Sequence, residues 1–310
     1  MSFSIDIQPI STFKRIRITN LETLVYIDVV SKGGILNSWM QTAEQWDIID
    51  GNDFESGWDN FESNGFKSGK MSPFACRLSH GLFTHLNQPY KIEKFYLGAH
   101  ALHGILYDAE YEIIETSIQE NNAHVILEHR YHGTDKGFPF SYTIQLHWKF
   151  FSNNKISIQT SITNESETPI PMMDGWHPYF KLGNRINNCT LHFANKGLLV
   201  YDHELIPTGE TLTNTMFDKG ARISDTHLDS GYIVDASLPK CVLENDKYTL
   251  TIVPNAAYPY LQLYTPDHRG SIAIENLSAA PDCFNNKTGL HILQPQEVWN
   301  LETSYQLTSK

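Results

Sequence analysis

Tyr142-x-Ile144-x-Leu146-x-Trp148, a break at Asn153-Asn154, and Ile156-x-Ile158-x-Thr160-x-Ile162 put buried-type side chains on every second position of two successive segments. A period of two is the pattern of a strand with one face in the core, and an Asn pair supplies the turn, so this stretch predicts a long β-hairpin. The pattern recurs from 111 to 118, turns at Asn121-Asn122 and returns over 123–131, with shorter runs at 15–19, 23–30, 248–253, 260–265 and 271–275. A period of 3.6 is sustained nowhere, and only 38–46 reads as a tolerable short helix. Together these features predict an all-β sandwich with few short helices and long connecting loops. Turn-forming residues cluster at 51–70, 207–209 and 285–289, but no Pro- or Ser-rich linker divides the chain and no repeat goes beyond hairpin similarity. Residues 1–310 are therefore expected to form a single domain.

Charge narrows the choice of partner. The chain has 23 Lys and Arg against 35 Asp and Glu, a formal charge of −12. Binding of nucleic acid or of an anionic membrane needs a clustered excess of cations that is not found here, so neither is expected and the partner is expected to be small and uncharged. No run approaches the ~18 apolar residues of a membrane span, and MSFSIDIQPIS has neither the basic nor the apolar region of a signal peptide. Cys76, Cys189, Cys241 and Cys283 are scattered without a CxxC pair, which predicts buried, reduced thiols and no thiolate zinc site. A cytoplasmic protein, monomeric or homodimeric, is the expectation.

Four segments carry chemistry. Asp174-Gly-Trp176-His177-Pro178-Tyr179-Phe180 sets one imidazole among aromatic residues, and Pro178 biases His177 toward extended backbone. Trp176, Tyr179 and Phe180 offer flat apolar faces of the kind that stack on a sugar ring. Ser72-Pro-Phe-Ala-Cys76-Arg77-Leu places a guanidinium among apolar residues, where it pairs either with an acid of the chain or with ligand hydroxyls. His100-Ala-Leu102-His103-Gly104 offers two imidazoles three apart, which would point to opposite faces on a strand. The run Ile272-Ala-Ile274-Glu275-Asn276 ends an apolar strand on a carboxylate, a charge that is either exposed or held deliberately in a site.

Arg77 in SPFACRL, the LHG of 102–104, the WHPYF of 176–180, the PTGE of 207–210 and Glu275…Pro281-Asp282…Asn285 stand in the order in which they occur in aldose 1-epimerases. The chain resembles that family, also called galactose mutarotase-like, from about Gly33-Gly34 to the closing strand near 301–307. The resemblance implies a large antiparallel β-sandwich whose concave face holds a free monosaccharide, with no metal and no organic cofactor. It implies His177 as general acid, His103 assisting at the ring oxygen and Glu275 as general base, with Arg77 and an aspartate binding sugar hydroxyls. Asp229 fits that last position better than Asp225 or Asp235, because it lies shortly before Tyr232, which with Trp176 is a candidate for contacting the sugar. The chain departs from the better-known galactose enzymes in having Glu275-Asn276 in place of Glu-Pro, and in the extra imidazole of His100.

Interconversion of anomers needs a proton taken from the C1 hydroxyl and another given to the ring oxygen. A Glu near its ordinary pKa of ~4.3 is ionised at neutral pH and a His near ~6.5 is partly protonated, so the default states suit a base and an acid respectively. Trp39, Trp58, Trp176 or Tyr232 would provide an apolar platform. Other readings are a hexose-6-phosphate epimerase drawing on Lys67, Lys70 and Arg77, a non-catalytic carbohydrate-binding protein, and a metal-dependent hydrolase using His100, His103, His177 and Glu275.

Overall fold

A computed structural model describes residues 2–53, 60–238 and 240–310. The alternating segments pair as expected: Ser141–Phe151 and Lys155–Asn164 form an antiparallel hairpin in register from Tyr142↔Asn164 to Phe151↔Lys155. Asn154 takes a left-handed conformation (φ 58°) in its turn, which Asn tolerates better than most residues. Glu112–Ile118 and Asn122–His132 form the second hairpin, with a register shift between Ile113 and Glu115. These strands belong to a nine-stranded sheet that also contains the C-terminal strand Val298–Ser309.

An eight-stranded sheet built around Asp229–Val234, Tyr260–Tyr264 and Ile272–Leu277 packs face to face with it. Trp148 meets Trp176 at a ring-centroid distance of 5.3 Å, and Phe180 meets Tyr305 at 5.6 Å. Each apolar side chain fully buried between the sheets contributes ~1.5–3 kcal/mol relative to exposure. The fold is an all-β sandwich, and residues 3–47 form a separate five-stranded antiparallel meander.

One local expectation is corrected. Residues 38–46 are not helical: Ile35–Gln41 is a strand that pairs with Tyr26–Val30, and Asp47 ends the following turn by accepting hydrogen bonds from the Ser38 hydroxyl and the Trp39 N–H. Sheet pairing has overridden local propensity. Trp39 is fully buried, its indole N–H donating to Asn154 Oδ1 at 2.9 Å, and Trp58 lies outside the described residues. The four cysteines are free and buried, and no helix among the described residues is long and apolar enough to cross a membrane.

Candidate active site

On the face of the eight-stranded sheet turned away from its partner, strand alternation gathers polar side chains. Glu275 stands opposite Gln262, and Gln262 opposite Gly231, in one row across three strands; Asp229 and Tyr264 form the next row. Gly231 is suited to this row because a Cβ there would lie 2.3 Å from the Tyr201 hydroxyl oxygen. Short strands from Arg77–Leu78 and His100–Leu102 cover the opposite side. The resulting pocket, of about 120 Å³, is lined by Arg77, His103, His177, Asp229, Gln262 and Glu275, with Cys76, Leu97, Leu102, Tyr201, Leu205, Tyr264 and Pro281.

At its floor His177 Nε2 stands 3.5 Å from Glu275 Oε1. Both residues are almost fully buried, and His177 Nδ1 and Glu275 Oε2 have no hydrogen-bond partner among the described residues. Tyr179 stacks on the His177 ring at 4.9 Å and 14°, anchored by its hydroxyl on Gly65 O, while His103 meets the same ring edge-on at 5.0 Å. His103 itself has positive φ (59°), its N–H bonded to Cys76 O at 3.0 Å. Gly104 follows at φ 77°, and a Cβ there would approach Ser72 O to 2.3 Å. Gly104→Ala is therefore expected to cost at least ~1–2 kcal/mol from backbone strain, read as a lower denaturation midpoint. An unchanged midpoint would contradict the close packing of this turn.

Arg77 forms no ion pair or side-chain hydrogen bond with the described residues, so of the two readings of this guanidinium the structural ion pair is not realised. Gln262 Nε2 donates to Asp229 Oδ1 at 2.9 Å and its Oε1 accepts from the Tyr201 hydroxyl at 3.1 Å. Asp225, by contrast, bonds Asn187 at the surface, and Asp235 caps its own turn through Ser237.

The aldose 1-epimerase family model matches residues 14–306. The chain belongs to the aldose 1-epimerase family. Its fold is similar to that of a galactose mutarotase-like protein from Clostridium acetobutylicum (TM-score 0.86, 17% identity, covering 100% of this chain and 99% of that one). It is likewise similar to a galactose 1-epimerase from Lactobacillus acidophilus (0.83, 19%, 99% and 98%) and to an aldose epimerase homologue from C. elegans (0.79, 17%, 92% and 96%). No curated protein matches the sequence.

In this aldose 1-epimerase family member burial shifts both groups away from the expected default values. Burial pushes Glu275 well above the usual carboxylate range, helped by the nearby Asp229 charge, and burial pushes His177 down to about 4. His103 is driven well below the ordinary histidine value by burial, by His177 and by Arg77. Asp229 is raised by burial, with Arg77 and the Gln262 bond opposing. Burial thus works against the charged form of both members of the pair.

Two candidates for sugar contact lie elsewhere. Strand alternation sends Trp176 and Tyr232 to the face opposite His177 and Asp229: Trp176 packs on Trp148 and on the Lys70 ammonium, and Tyr232 packs edge-on against Phe193 at 4.9 Å. Phe180 is likewise in the core, and Tyr179 stacks on the histidine. His100 faces away from the pair, its Nδ1 accepting from the His80 N–H at 3.1 Å and its Nε2 lying 3.6 Å from Glu204. Among the described residues no three His, Cys, Asp or Glu side chains are placed to hold a metal ion. The residues not foreseen are Tyr201, Gln262 and Tyr264; the signal for Gln262 was a lone amide inside the apolar run Tyr260-Leu-Gln262-Leu-Tyr264.

Proposed function

We propose that this protein is an aldose 1-epimerase that interconverts the α and β anomers of a free hexose. The observation that carries the proposal is the 3.5 Å separation of His177 Nε2 and Glu275 Oε1 in a buried pocket. The two oxygens that exchange protons in ring opening, the C1 hydroxyl and the ring oxygen, are bonded to the same carbon. Their acid and base must therefore stand side by side, as these two groups do.

The proton ledger gives the shifted states a purpose. With a sugar bound, its hydroxyls resolvate the pair and admit the form with Glu275 ionised and His177 protonated. Glu275 then takes the C1 hydroxyl proton, His177 gives one to the ring oxygen, and the C1–O bond to the ring oxygen breaks to leave an aldehyde and a free hydroxyl. The pair has become a carboxylic acid and a neutral imidazole, the form that burial favours. Rotation about C1–C2 and reversal of both transfers close the ring on the other face. Each transfer supplies roughly 10²–10⁴-fold, sufficient for a reaction that proceeds in water unaided. His103, held neutral, offers a hydrogen bond without a charge, while Arg77 and Asp229 bind hydroxyls.

Arg77→Met is expected to raise KM about 10- to 100-fold with kcat changed little. A hydrogen bond to a charged group contributes ~1.5–3 kcal/mol, and tenfold in affinity is ~1.4 kcal/mol. Steady-state kinetics reads the split, and an unchanged KM would remove Arg77 from sugar binding.

The reading of a phosphorylated substrate loses its cations. Lys67 is paired with Asp50 at 3.0 Å and Lys70 is fully buried against Asp174, leaving Arg77 alone of the three at the pocket. Anomer exchange measured by NMR over a panel of free and 6-phosphorylated aldoses tests this: free hexoses are expected to be the better substrates, and a preference for the phosphorylated sugars would overturn the proposal. The proposed partner is a monosaccharide in a chain acting as monomer or homodimer in the cytoplasm.

A further inference from the structure

Lys70 and Asp174, both fully buried, meet at 2.5 Å beneath the pocket, on the core side of the segment that carries His177. Lys70 Nζ also lies 3.4 Å from Thr160 Oγ1 of the facing sheet and 3.4 Å from Gly175 O, and 4.4 Å above the Trp176 ring. Asp174 Oδ2 accepts a second hydrogen bond from the Tyr258 hydroxyl at 2.7 Å. Its main chain is tied to the Glu275 strand: the Asp174 N–H donates to Ser278 Oγ at 2.8 Å, and the Ser278 N–H donates to Asp174 O at 2.9 Å. Burial lowers Lys70 to about 8 and raises Asp174, and each shift is opposed by the partner's charge and the hydrogen bond between them.

The strand between these groups and His177 is only two residues long, Gly175–Trp176, paired at Gly175↔Leu277 on one side and at Gly175↔Met71 and Trp176↔Lys70 on the other. The ladder runs on past this strand, with the Met173 N–H donating to Pro73 O at 2.7 Å, the His177 N–H to Gly69 O at 3.1 Å and the Ser68 N–H to His177 O at 2.9 Å, but main-chain bonds are the same for every sequence and do not themselves choose between registers one residue apart. A slip of one residue would turn Trp176 into the pocket and His177 into the core. The same slip would strand two buried charges, and buried ion pairs are best attested as devices that specify register rather than as sources of stability.

We propose that the Lys70–Asp174 pair is the register lock that sets His177 against Glu275, a positioning role in the reaction proposed above, on which this inference rests. Lys70 and Asp174 touch no substrate. They act by making one alignment of a two-residue strand the only one in which both charges are paired.

The test is the double apolar replacement Lys70→Met/Asp174→Leu, because replacing both members of a buried pair is often neutral or favourable for stability. The variant is expected to keep its denaturation midpoint while kcat falls at least tenfold, with KM moved less than threefold. An unchanged kcat would overturn the inference, leaving the pair purely structural. If the double variant does not fold, Tyr258→Phe removes one bond from Asp174 and keeps the charges; a several-fold loss of kcat at unchanged KM is expected, and wild-type kcat would overturn the inference. Should the wild-type protein leave anomer exchange at the buffer rate, the reading of the reaction fails, and the lock is then judged from a crystal structure of the double variant. There the 3.5 Å separation of His177 Nε2 and Glu275 Oε1 is expected to be lost; its retention would contradict the lock.

Discussion

Glu275→Gln is expected to lower kcat for anomer interconversion by about 10²–10⁴-fold while sugar binding stays within a few-fold of wild type. The amide matches the carboxyl in size and can still hydrogen-bond the C1 hydroxyl, but it cannot take that proton. Burial at 1% exposure means that bulk water does not replace the missing base. Isothermal titration with the sugar, set beside polarimetric rates, separates binding from turnover. Near-normal turnover would remove Glu275 from the proton path.

His177→Asn is expected to lower kcat by a comparable factor and to change the shape of the pH profile. The working pair holds one proton. Because burial brings His177 down to about 4, the second proton binds, and activity is lost, only as pH falls through about 4, well below the ordinary ~6.5 of histidine. As pH rises, the single proton leaves at the raised value of Glu275, above the usual carboxylate range, and activity falls again. The wild-type profile of kcat/KM should therefore show an acid limb near 4, and the Asn variant should lack it. Since the two groups act as a unit, the double variant should be little slower than either single one. In His177→Asn the acid limb should instead follow Glu275, at its raised value; a limb still near 4 would assign it to a group other than His177.

The strands and the pocket were unequally legible. Period-two alternation read the long hairpins and the apolar strand ending at Glu275 because each has one face in the core, and that face repeats locally. The same rule, applied to 176–177 and 229–232, would have sent Trp176 and Tyr232 to the core once His177 and Asp229 were given to the pocket. Residues 38–46 misled because their strand is set by pairing to 26–30 and by Asp47, contacts that local propensity does not contain. Protonation states were the least legible feature. Reference values place Glu275 and His177 in opposite charge states, and only their burial together, nearly a hundred residues apart in the chain, drives both toward neutrality.

The most direct measurement is the optical rotation of freshly dissolved α-D-glucose or α-D-galactose in the presence of the wild-type protein. The account predicts that rotation reaches its equilibrium value faster than in buffer, at a rate proportional to protein concentration, for at least one free hexose. Sugar that binds while its rotation drifts at the buffer rate would contradict it, and would leave the pocket a binding site without a reaction.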